Sequence, residues 1–77
     1  MRRSELDICA DILEAASIGM RKTRLVYGTN LNFTLIKVYL KKLIGWGFIE
    51  ENGGVYYTTD KGKGFVENYK ELNCFVD

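Results

Sequence analysis

Residues 32–42 include several side chains that form hydrogen bonds or carry a positive charge, and they include no carboxylate. Asparagine and threonine both donate and accept hydrogen bonds, lysine brings a positive charge, and a valine methyl group can contact the methyl group of thymine. Groups of these types read base edges and attract phosphates on DNA. The candidate DNA-facing set consists of Asn32, Thr34, Lys37, Val38, Lys41 and Lys42.

One amphipathic helix would hold most of this set on a single face. Apolar residues recur at the three- and four-residue spacing of a buried helical stripe, and the polar set lies opposite them. Asn32 is a suitable N-cap, and Gly45 and Gly47 can end the helix, so the sequence predicts a helix from Asn32 to Ile44. The predicted buried stripe is Ile36, Tyr39, Leu40 and Leu43, with Leu35 at its edge.

Charge is distributed unevenly along the chain, although the formal net charge is only +1. Residues 1–49 contain eight lysines and arginines against four acidic residues, whereas residues 50–77 contain three against six. This asymmetry predicts one basic surface on an otherwise acidic molecule. The additional candidate DNA contacts are Arg21, Lys22 and Arg24, with Arg2 and Arg3 as an N-terminal arm.

Two elements are predicted before the central helix. Ser4 is a plausible N-cap for a first helix, which Gly19 would end. Residues 20–30 contain a possible short strand and then a short helix through Tyr27, with Thr23 as its N-cap. Gly28, Thr29 and Asn30 follow as a turn, because glycine and asparagine adopt positive φ more easily than other residues.

A hairpin and a last helix are predicted after the central helix. Two strand-forming runs, 48–51 and 55–58, flank Asn52-Gly53-Gly54, which is a strong hairpin signal. Thr59 is the predicted N-cap of the C-terminal helix. The order helix, short helix, recognition helix, two-stranded wing and C-terminal helix predicts a mainly α winged helix-turn-helix, with residues 1–77 as a single domain. Since Glu50 and Glu51 flank the hairpin tip, we expect the wing to contribute little to DNA binding.

The sequence gives little basis for catalysis or for a bound cofactor. It contains no histidine, no nucleophile–base constellation and no phosphate-cradling glycine motif. Gly62 and Gly64 are interpreted instead as positions of close helix packing. We therefore expect no enzymatic activity, metal, cofactor or small-molecule ligand. No stretch approaches the length of a membrane span, and the acidic start does not resemble a signal peptide, so a cytoplasmic location is expected.

The two cysteines, Cys9 and Cys74, lie near opposite ends of the chain. Two interpretations remain open at this stage. Both could be buried free thiols, as is usual for cysteine in such proteins, or they could pair if their helices are neighbours.

Four segments resemble a group of small archaeal winged-helix proteins. They are ADILEAA (residues 10–16), KTRLVYGTNLNF (22–33), YLKKLIGWGFIE (39–50) and YYTTDKGKGF (56–65). The group includes the Sso-ten-a chromatin-associated proteins and the ArnR-type transcription regulators, and the resemblance covers nearly the whole chain. It implies DNA binding in an archaeal cytosol by a dimer joined through the last helix.

The last helix departs from the pattern of that group, in which it often forms an extended antiparallel coiled coil. From residue 59 to residue 77 it has about five turns at most, so a long coiled coil is not available. Its apolar side could form a short pairing surface or pack back on the first helix. The candidate dimer residues are Phe65, Tyr69, Leu72, Phe75 and Val76.

Two functions follow from these features. The first is a homodimeric transcription regulator that places the helix from Asn32 to Ile44 in the major groove of double-stranded DNA. The second is a winged-helix protein–protein interaction module that does not bind DNA. Such a module should expose apolar surface around Phe33, Val38 and Phe75.

Overall fold

Four helices and three short strands make up the described part of the chain. The computed structural model describes the backbone of residues 4–76 and the side chains of residues 4–72. None of the helices within this part has the length and hydropathy that crossing a membrane requires. The elements are α1 (Glu5–Ala15), β1 (Met20–Arg21), α2 (Lys22–Thr29), α3 (Phe33–Gly45), β2 (Ile49–Asn52), β3 (Val55–Thr58) and α4 (Asp60–Val76).

Ser4 is the N-cap of α1, as the sequence predicts, and the structure shows that the cap is reciprocal. The Ser4 hydroxyl oxygen accepts the Asp7 N–H at 3.1 Å, and the Asp7 carboxylate accepts the Ser4 N–H at 3.1 Å. These two bonds satisfy backbone donors that the first turn of a helix leaves without partners. The cap fixes where α1 starts, and therefore which of its residues face the core.

The start of α2 differs from the sequence-based prediction. Arg21, not Thr23, is the N-cap, and its side chain forms no capping hydrogen bond. The reason is that β1 pairs with β3 and holds Arg21 extended, so the chain turns into the helix directly after the strand. The helix also continues beyond Tyr27 to Thr29, where Asn30 ends it in the left-handed conformation at φ 59°.

The predicted hairpin is confirmed, and it gains a third strand. Gly53 and Gly54 connect β2 to β3 with φ values of 60° and 83°, a combination typical of a type I′ turn. The hairpin is not an isolated two-stranded wing, because β1 pairs with the other edge of β3. The antiparallel sheet therefore has the order β1-β3-β2.

The hydrophobic core lies between the helices and one face of this sheet. Cys9 is a free thiol within it and is 4% exposed. Burial raises the pKa of the Cys9 thiol, with a smaller contribution in the same direction from Glu5, while Lys42 acts in the opposite direction. The side chain of Cys74 lies outside the described residues. The largest fully buried side chains are Ile12, Leu13, Leu25, Ile36 and Leu43.

Thr59 connects the start of α4 to the chain that leaves α3. Its hydroxyl oxygen accepts the Gly62 N–H at 3.2 Å, which confirms the predicted N-cap, and its O–H donates to the Gly47 carbonyl at 2.6 Å. The Thr59 N–H also donates to the Phe48 carbonyl at 2.9 Å. The hairpin and α4 are therefore fixed relative to the C-terminal end of α3.

Candidate nucleic-acid interface

The buried stripe of α3 is the one the sequence predicts, and it sets the orientation of the helix. Ile36, Tyr39, Leu40 and Leu43 are all buried, whereas Leu35 at the edge is 40% exposed. Because these residues occupy one side of the helix, the residues opposite them must face solvent. Thr34, Lys37, Val38 and Lys41 are all exposed on that opposite side.

Asn32 begins α3 as its N-cap. Its side-chain oxygen accepts the Leu35 N–H at 2.8 Å. Because the side-chain oxygen already accepts this hydrogen bond, the amide NH₂ group, which is a donor, remains free to contact a ligand at the N-terminal end of α3. Asn32 is therefore positioned to donate hydrogen bonds more readily than to accept them.

Three lysines from two helices converge beside the exposed face of α3. Lys22 at the start of α2, together with Lys37 and Lys41, surrounds a shallow depression of about 190 Å³. We call this feature the lysine depression. Its remaining lining consists of Leu40, Ile44 and Tyr56.

Tyr56 brings the sheet into contact with this depression. Its side chain is only 9% exposed. Burial raises the pKa of the Tyr56 phenol above its ordinary value, and the nearby Glu51 carboxylate raises it further. The hydroxyl is therefore neutral at physiological pH and available as a hydrogen-bond donor.

Two of the four arginines predicted to contact DNA, Arg21 and Arg24, lie on another part of the surface. Arg21 and Arg24 line a recess of about 440 Å³ next to Ile18 and Val55. A guanidinium nitrogen of Arg21 lies 3.6 Å from the position that a Cβ on Gly54 would occupy. The hairpin tip, which lacks a cation in its own sequence, therefore has Arg21 of β1 beside it. The strand pairing, which brings Arg21 opposite Val55, is what places it there.

Some of the residues predicted to contact DNA do not lie beside the lysine depression. The Lys42 ammonium is 3.7 Å from a Glu5 carboxylate oxygen and 5.6 Å from the centre of the Tyr39 ring, so it points toward α1. Arg2 and Arg3 lie outside the described residues. The structure thus brings Lys22, Lys37 and Lys41 together and separates Lys42 from them.

The candidate dimer residues on α4 are partly engaged within the chain. The Phe65 ring stacks on Phe48 with centroids 5.3 Å apart, and the Tyr69 hydroxyl donates to Asp7 of α1. Leu72 is 68% exposed. The side chains of Phe75 and Val76 lie outside the described residues.

The described residues include no cluster of three or more His, Cys, Asp or Glu side chains that could hold a metal ion. A recess beside α4 has a volume of about 250 Å³ and carries charges of both signs. Its charged lining residues are Glu14, Lys63, Glu67 and Lys70.

A family model described as winged helix-turn-helix matches residues 2–76. Two uncharacterized proteins of Methanocaldococcus jannaschii are similar in sequence. The first is 30% identical over 73 residues, which is 94% of this chain and 35% of that protein. The second is 32% identical over 72 residues, which is 92% of this chain and 74% of that protein. The chain therefore spans about a third of the first relative and about three quarters of the second.

A solved structure has the same fold. It is the crystal structure of Sso10a-2, a DNA-binding protein from Sulfolobus solfataricus. The two structures match with a TM-score of 0.84 and 27% sequence identity, over 95% of this chain and 81% of that chain.

Proposed function

Because the chain belongs to the winged helix-turn-helix family, we propose that it binds double-stranded DNA through the exposed face of α3. The observation that carries this proposal is the convergence of Lys22, Lys37 and Lys41 beside a helix face that contains no carboxylate. The likeness to Sso10a-2, itself a DNA-binding protein, supports it. Phosphate attraction by such lysines supplies most of the affinity of non-specific DNA binding.

The exposed face of α3 suits insertion into the major groove. In helix-turn-helix proteins the N-terminal residues of the recognition helix come nearest to the base edges. Thr34 would hydrogen-bond a base edge, Val38 would contact a thymine methyl group, and the Asn32 amide group would donate to a base acceptor. Lys37 and Lys41 would neutralise phosphates on the flanking backbone.

Transcription regulation is the role that we propose for this DNA binding. A regulator needs a sequence preference in addition to phosphate attraction, and Asn32, Thr34 and Val38 are the side chains that would contact bases. The same face could instead coat DNA without preference if these three residues contribute little. An enzymatic role is not part of the proposal.

A protein-binding role is the second candidate, because apolar side chains are exposed on α3. Phe33 is 48% exposed and Val38 is 46% exposed. An apolar docking surface would need few cations, yet this face is bordered by the three lysines of the depression. Charge therefore favours DNA over an apolar protein partner.

The wild-type protein is expected to bind duplex DNA of random sequence in a salt-dependent manner. Fluorescence anisotropy of a labelled duplex, measured at several salt concentrations, tests this. The logarithm of the association constant should fall linearly with the logarithm of salt concentration, with a slope of about −0.9 for each phosphate neutralised. Absence of binding even at low salt would sink the DNA proposal and favour the protein-binding role.

A homodimer on a pseudo-palindromic site is the working form of the complex, since a single small surface gives limited affinity. Half-sites would then lie about 10 base pairs, or about 34–36 Å, apart. The exposed Leu72 is available for pairing, whereas Phe65 and Tyr69 are engaged within the chain. Light scattering after gel filtration measures the mass, and a monomer both alone and on DNA would rule out the dimer.

A further inference from the structure

Two adjacent carboxylates on β2 point to opposite faces of the sheet. Glu51 pairs with Tyr56 of β3, and Glu50 pairs with Tyr57. Directly opposed residues of antiparallel strands share a face, and successive residues alternate between faces. Glu50 and Glu51 are therefore neighbours in sequence and carry the same charge, but they lie on opposite faces of the sheet.

The face of Glu51 is the one that borders the lysine depression. Its partner Tyr56 is buried and lines that depression, whereas Tyr57 is 41% exposed and lies against Gly19 on the other side of the sheet. The effect of Glu51 on the pKa of Tyr56 agrees with this placement. Glu50 pairs with Tyr57 and therefore lies on the opposite face of the sheet from the lysine depression.

Glu51 forms no ion pair with any cation among the residues that the structure describes. Among the residues that the structure describes, the ion pairs are those of Lys42 with Glu5 and of Lys70 with Glu14. A carboxylate on the sheet face that borders a cluster of lysines, without an ion pair to any of them, lowers the positive potential that the cluster presents to an approaching anion.

We propose that Glu51 is a specificity-determining residue, whose carboxylate weakens the attraction of the lysine depression for backbone phosphates and so limits binding to DNA of arbitrary sequence. This inference rests on the proposed function. Phosphate attraction is independent of sequence, so a charge that reduces it leaves base contacts a larger share of the binding free energy. The acidic strand of the wing thereby acts on DNA binding without contacting a base.

Replacement of Glu51 by glutamine, with Glu50→Gln as the matched control, tests the inference. Both variants lose one negative charge and keep the side-chain size, so any difference between them reports position. Anisotropy titrations with a random-sequence duplex at low salt should show about two- to fivefold tighter binding for Glu51→Gln, the size of a unit-charge interaction across about 4–10 Å of water. Glu50→Gln should change the affinity by less than half as much on a logarithmic scale.

The outcomes separate this inference from the proposal on which it rests. If wild type binds the duplex and the two variants bind it with the same affinity, the position of the lost charge has no effect on binding and the inference is wrong. Weaker binding by Glu51→Gln, with an unchanged melting temperature, would also contradict it, because the carboxylate would then assist binding. If wild type and both variants fail to bind, the DNA proposal itself has failed.

Discussion

Replacement of Gly62 by alanine is expected to destabilise the protein by about 2–3 kcal/mol, as overpacking of a tight contact does. Gly62 is buried in the first turn of α4, where its backbone lies directly on the Phe48 carbonyl. A Cβ there would overlap that carbonyl oxygen and would lie 2.7 Å from the Thr58 methyl carbon. Both neighbours are held in place, because the Phe48 carbonyl accepts the Thr59 N–H and the Thr58 hydroxyl donates to the Leu13 carbonyl.

Gly64, on the same helix, provides the control. A Cβ at Gly64 would meet no atom within 4 Å, so the sequence-based interpretation of Gly64 as a position of close packing is wrong. Since alanine is the better helix former, Gly64→Ala should stabilise the protein by up to about 1 kcal/mol. Urea denaturation of the two variants measures both effects. Equal midpoints for Gly62→Ala and wild type would mean that α4 can move away from Phe48 and Thr58 at no cost, which would contradict the close packing of Gly62 against these two residues.

The double replacement Lys37→Ala/Lys41→Ala is expected to weaken binding to random-sequence duplex about 10- to 30-fold at low salt. Both lysines are exposed on α3 and border the lysine depression. A lysine–phosphate pair at about 4 Å in water contributes roughly 1 kcal/mol, and two such pairs account for the expected loss. Dissociation constants from fluorescence anisotropy measure it. The fold should persist, because neither side chain belongs to the core.

Lys63→Ala/Lys70→Ala is the matched control for this pair. It removes the same charge from α4, where both lysines line a different recess together with Glu14 and Glu67. Lys70 forms an exposed ion pair with Glu14 at 3.3 Å, and pairs of this kind contribute little to stability. If the control weakened DNA binding as much as the α3 double variant, binding would depend on net charge and not on the face of α3.

Local patterns in the sequence were sufficient to predict most elements and the orientation of α3. A helical stripe of apolar residues has only one way to be buried, so Ile36 and Leu40 determine where Lys37 and Lys41 point. Caps such as Asn32 and Thr59 are equally local, because each bonds a backbone N–H three residues later. These signals require no knowledge of what packs against the helix.

Features that depend on distant parts of the chain could not be predicted in this way. The pairing of Arg21 with Val55 fixes the start of α2 and brings a cation to the hairpin tip, but the two residues are far apart in sequence. The ion pair of Lys42 with Glu5 likewise turns Lys42 toward α1 and away from the lysine depression. In each case contacts with distant residues determine a feature that the local sequence does not: the first residue of α2 in one case, and the direction of the Lys42 side chain in the other.

The salt dependence of Lys37→Ala/Lys41→Ala, measured beside wild type, tests the central claim most directly. If the exposed face of α3 is the DNA-binding surface, removing two phosphate contacts should flatten the slope of log affinity against log salt by about 1.8, or about 0.9 for each lysine. The Lys63→Ala/Lys70→Ala control should keep the wild-type slope. A double variant of α3 that binds DNA with the wild-type slope and affinity would contradict the claim.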